Sequence, residues 1–109
     1  MSVEDVIVRG GGRFIHSVSS VEQNWDTGHG RVTYEVAIIH PNNEDGKPED
    51  RRLAMRWHGS GPSGRGFPNT FGKPTWFEVD PQLEMAILNS LCLSAKQYSE
   101  ALTHLSRKN

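Results

Sequence analysis

The sequence predicts an α+β domain: an antiparallel sheet of about four to five strands in a meander, followed by two C-terminal helices packed on one face. Three observations predict it. Segments rich in β-branched and aromatic residues, alternating in polarity, recur up to Val79. The first helix start signal, Asp80-Pro81, comes only after them. The connections between strands are short, which favours antiparallel neighbours over crossovers. At 109 residues the chain, 1–109, is one domain with a single modest core.

Residues 3–9 read as a short strand that ends at Gly10-Gly11-Gly12, where three glycines should break any regular element. The glycines suit a turn, or an anion cradle beside Arg9 and Arg13. A second strand covers 13–23, with Phe14, His16 and Val18 on one face and Ile15, Ser17 and Val21 on the other. Asn24 to Gly30 is a turn segment. Residues 31–40 form the clearest strand, with Val32, Tyr34, Val36 and Ile38 sharing a face, and Pro41 should end it. Residues 41–50 are a polar connection.

The next strand, 51–58, sets Leu53, Met55 and Trp57 against Arg52, Ala54, Arg56 and His58. A last strand at 75–79 closes the sheet. Asp80 is then placed to cap a helix over 81–91, with Pro81 where a missing N–H costs nothing. Leu83, Ile87 and Leu91, spaced by four, should form its buried stripe. Ser94 with Gln97 fits a capping box, and Leu93 with Tyr98 a hydrophobic staple, so a second helix is read over 95–106. One unbroken helix across 81–106 is the rival.

The net charge is −1. The total therefore makes no electrostatic case for nucleic acid or an anionic membrane, and neither is an expected partner. The distribution is uneven: residues 1–50 sum to −5, residues 51–77 to +5 and residues 78–109 to −1. Arg51 and Arg52 are well placed to pair with Glu44, Asp45, Glu49 and Asp50 across a loop. The single cysteine, Cys92, excludes an intrachain disulfide and fits a reducing, cytoplasmic compartment. On an apolar helix it should be a buried, inert thiol. The N-terminus lacks the pattern of a signal peptide, and no apolar run approaches the ~18–20 residues that span a bilayer.

Chemistry-bearing motifs are sought first in residues 56–76, which hold two of the three Trp, three of the six Pro and five of the eleven Gly. Gly59 to Gly64 matches G-x-G-x-x-G literally, but Pro62, Pro68 and Pro74 preclude the helix that a dinucleotide loop must open. A phosphate-binding P-loop fails as well: Gly66 stands one residue too far from Gly72-Lys73, and Pro74 replaces the Ser or Thr. The five histidines show no metal-ligand spacing, so no metal or cofactor is expected. His58 with Ser60, or with an approaching carboxylate, would serve a small hydrolase or isomerase.

The positive case is a recognition surface. Arg56 and His58 share a strand face, and Arg65, Phe67, Asn69 and Phe71 follow on a Gly/Pro-stiffened connection that ends at Trp76. Trp and Arg are the side chains most often found at binding hot spots. Arg56, Trp57, His58, Arg65, Phe67, Asn69 and Trp76 are therefore the candidate ligand- or partner-binding residues. They suit a small anionic or planar ligand, or a protein segment. The same aromatics and basic residues would serve single-stranded nucleic acid, as a third reading.

Arg56-Trp57-x-Gly59, Gly66-Phe67-Pro68 and Gly72-x-Pro74-Thr75-Trp76-Phe77 together resemble small bacterial proteins encoded in mobile integron gene cassettes, a set mostly without assigned function. The similarity covers about the last half of the chain. It implies a bacterial, soluble, compact α+β protein that oligomerises, and it transfers no functional residues. The leading expectation is thus a non-enzymatic binding module, homodimeric because a small sheet must protect its edges. The hydrolase or isomerase is the alternative.

Overall fold

A computed structural model of the chain describes residues 11–23, 32–42, 48–57, 69–70 and 73–105. Its main sheet has four antiparallel strands in the order β1 (Gly11–Gln23), β2 (Val32–Asn42), β3 (Arg52–Trp57) and β6 (Phe77–Glu78). A separate two-stranded sheet pairs β4 (Asn69–Thr70) with β5 (Lys73–Pro74). The helices α1 (Glu84–Ser90) and α2 (Ala95–Leu105) follow. The fold is α+β, with a meander of strands first and two helices last. Among the described residues no helix is long and apolar enough to cross a membrane.

Alternation along β2 and β3 sorts their side chains between two faces. Val36 and Ile38 of β2 and Leu53 of β3 join Val18, Val79, Leu88, Ala101, Leu102 and Leu105 in the main core, under the helices. Ala37, Ile39 and Ala54 point the other way and pack with Trp76 in a second cluster, against which Phe14 lies. Residues 35–40 are all buried, so the centre of β2 is covered on both sides. A strand covered on both faces reads as a continuous apolar run, as Val36-Ala37-Ile38-Ile39 does.

Several expectations change on contact with the structure. Gly11 and Gly12 belong to β1, and Gly11 pairs with Asn42; glycine at a strand end costs little packing. β2 runs past Pro41. Among the described residues the register of β3 stops at Arg52 opposite Ile39, so beyond Ile39 that side of β2 is an edge, where proline is tolerated. The faces of β1 do not alternate simply. Register shifts between Phe14 and His16 and between Ser17 and Ser19 place Phe14 on the second cluster but Ile15 and Val18 on the main core. The last strand shortens to Phe77–Glu78. The strand expected over 3–9, the turn at 24–30 and most of 58–72 lie outside the described residues.

The C-terminal part forms two helices. Asp80 accepts from the Gln82 N–H at 2.9 Å, with Pro81 next to it, as expected of a cap. The first turn, Pro81–Leu83, is 3₁₀ rather than α. Its tighter winding rotates Leu83 off the buried stripe, leaving it 55% exposed, while Glu84 and Leu88 face inward. Ile87 and Leu91 pack at the core margin. Cys92 adopts φ 54°, which ends the helical run. Its thiol is exposed in the turn, not buried in a helix. The capping box forms in both directions: Gln97 N–H donates to Ser94 Oγ at 3.1 Å, and Ser94 N–H donates to Gln97 Oε1 at 2.9 Å. Leu93 and Tyr98 both pack against the main core.

Long-range hydrogen bonds tie these helices to the start of β3. Leu53 C=O accepts from Val79 N–H at 2.8 Å, so the Leu53 N–H also points to that side, where β6 has already ended. The buried Glu84 carboxylate supplies the acceptor, at 3.1 Å. One residue before β3, Arg51 Nη1 donates to the His104 carbonyl at 2.9 Å, near the C-terminus of α2. A cation there complements the helix dipole.

Candidate functional site

The strand registers bring three of the larger polar side chains into one row on the face away from the helices. Glu35 of β2 lies directly opposite Arg56 of β3. Met55 pairs with Phe77 and Ala54 with Glu78, and the Val79–Leu53 hydrogen bond keeps the same register. Carried one residue further, this register brings Trp76 level with Arg56. The row Glu35, Arg56, Trp76 thus crosses the second face, and Ala37 and Ala54 form the neighbouring row. Those two small side chains leave room for the indole that packs on them.

All three members of the row are buried: Glu35 is 8%, Arg56 0% and Trp76 1% exposed. A buried guanidinium stays ionised, so its charge needs a counter-charge or a set of acceptors. Burial lowers the pKa of Arg56 from its ordinary value, and the Glu35 carboxylate raises it again. Arg56 Nη2 also donates to the Trp57 carbonyl at 3.2 Å. The row is therefore close to charge-neutral, and an anion entering it would compete with Glu35 for Arg56. Trp76 differs. Its Nε1 is buried and has no hydrogen-bond acceptor among the described residues. An indole N–H is donor-only and costs free energy when left unpaired.

The expected binding residues separate into groups. Arg56 and Trp76 come together. Trp57 does not join them: alternation along β3 puts it on the helix-side face, opposite Tyr34 and half-buried. Asn69 is in β4, paired with Pro74 across the small sheet. His58, Arg65 and Phe67 lie outside the described residues, as does Ser60, the other half of the expected Ser/His arrangement. Glu35 is missing from the expected set. Its signal was present: an acid inside a run of apolar residues, on the same side of its strand as Arg56 on the next.

Two further histidines meet elsewhere. His16 of β1 and His104 of α2 stack with ring centroids 4.1 Å apart and an interplanar angle of 20°. Among the described residues no three His, Cys, Asp or Glu side chains gather in a metal-binding group. No protein-family model matches the chain, and neither a curated protein nor a solved structure matches it.

Proposed function

We propose that the chain is a non-enzymatic binding module for a small planar ligand bearing a hydrogen-bond acceptor, held on the second face of the sheet by Trp76 beside Arg56. The observation that carries the reading is the buried Trp76 Nε1, which lacks an acceptor among the described residues. A carbonyl or carboxylate on the rim of such a ligand accepts from that N–H, beside the Arg56 guanidinium. Because Glu35 already balances Arg56, the favoured ligand is neutral or singly charged rather than a polyphosphate. A cytoplasmic location, kinship with integron-cassette proteins and self-association at a sheet edge belong to the same proposal.

The test is a thermal-shift screen over planar metabolites, aromatic acids and nucleobases, repeated on Trp76→Phe. That variant keeps an aromatic ring and removes the N–H. The expected result is a ligand-dependent rise in Tm for the parent chain and its loss in a folded Trp76→Phe protein. An unchanged shift in the variant would remove Trp76 from the site.

A further inference from the structure

We propose that the stacked His16–His104 pair is a protonation-controlled latch between β1 and α2, closed when both imidazoles are neutral and opened by mild acid. His16 lies in β1, half-buried, opposite Ile38 of the main core. His104 lies in the last turn of α2, half-buried, with its ring against that of His16. Neutral imidazoles stack at this separation without penalty. Two imidazoliums repel at the same distance, and partial burial of both rings weakens the screening by solvent.

The surrounding charges do little to offset that repulsion. On α2, Glu100 stands one turn before His104 and is the carboxylate that acts on His16. Arg51 adds another cation, since its Nη1 bonds the His104 carbonyl. Glu49 and Asp50, in the 3₁₀ turn Pro48–Asp50, are exposed, so solvent screens their field. From β2, His40 follows Ile38 by one same-face step and lies opposite Arg13 of β1, so that strand adds no carboxylate on this face. Burial lowers the His16 pKa from 6.5, His104 lowers it further, and Glu100 opposes both. The released state therefore binds the proton more readily than the docked state. Docking is fully supported above the ordinary value of 6.5 and weakens as pH falls through the lowered one.

The fold also supplies a joint for the motion. α2 follows a turn in which Cys92 holds a left-handed backbone, and it meets the core through Ala101, Leu102 and Leu105, with Tyr98 packed at the margin. Release of this one helix leaves the β1–β2–β3 pairing intact.

Hydrogen exchange, corrected for the intrinsic pH dependence, should be measured at near-neutral and mildly acidic pH on the parent chain and on His16→Gln and His104→Gln. The expected result is a severalfold loss of protection confined to Ala95–Leu105 in acid, absent from both variants. Equal loss across β2 and β3 would overturn the latch, as would acid loss that persists in the variants. Should either variant fail to fold, NMR titration of the parent chain decides. His16 should titrate below the usual histidine range, in step with the α2 amide shifts. An ordinary His16 titration with static α2 resonances would also overturn it.

Discussion

At the scale of single residues, the most telling are those whose position departs from their type. Cys92 is a non-glycine residue at φ 54°, where an L-residue pays about 1–2 kcal/mol for the contact between its Cβ and the backbone. Glycine removes that cost but adds roughly 0.5–1 kcal/mol of chain entropy. Cys92→Gly is therefore expected to leave stability unchanged or raise it by up to about 1 kcal/mol, read from the urea midpoint. Cys92→Val, branched at Cβ, is expected to lower stability by about 1–2 kcal/mol. Equal midpoints for the two variants would contradict a strained turn. The sequence marks Cys92 only as a lone thiol near apolar neighbours. Its exposure depends on where α1 stops, and that lies in a backbone angle no composition encodes. Trp76 is more legible, because so large an aromatic must be buried or bind something. Glu35 is legible only once its register to Arg56 is known.

At the scale of elements, start signals are read best. Asp80-Pro81 and the Ser94–Gln97 box both act where their local chemistry places them, because capping is satisfied within a few residues. Interior phase is read less well. A 3₁₀ first turn moves Leu83 outward, and two register shifts redistribute the side chains of β1. Both are small backbone departures set by packing rather than by local preference. The join between α1 and β3 lies beyond sequence reading altogether, since Glu84 and Leu53 are far apart in the chain. Glu84→Ala leaves a buried N–H without its acceptor and is expected to cost about 1–3 kcal/mol. Glu84→Gln keeps an oxygen in place and should cost less. Exchange of the Leu53 amide checks both: an unaltered rate in Glu84→Ala would show that the bond contributes nothing.

At the scale of the whole molecule, the class and order of elements follow from the sequence because strand and helix periodicities occupy separate parts of the chain. The covering of both sheet faces is less plain, although the apolar run at 36–39 hints at it. The outer edge is the remaining feature of this scale. β6 pairs with only two residues of β3, and Phe77 on it is 59% exposed. Among the described residues no strand pairs with the outer edge of β6, and an open edge with an apolar side chain invites a second copy. The protein is accordingly expected to be dimeric by light scattering at tens of micromolar, and Phe77→Lys to shift it to monomer. A monomeric parent chain would sink that expectation. The Glu84 carboxylate carries one more consequence at this scale. It completes a hydrogen bond that β3 cannot close with its own sheet, and it lies 31 residues downstream of the amide it serves. On a ribosome, β3 is made well before its last acceptor leaves the exit tunnel. The newborn strand closes that bond only once the first helix has followed it, so the start of β3 and the start of α1 are ordered together.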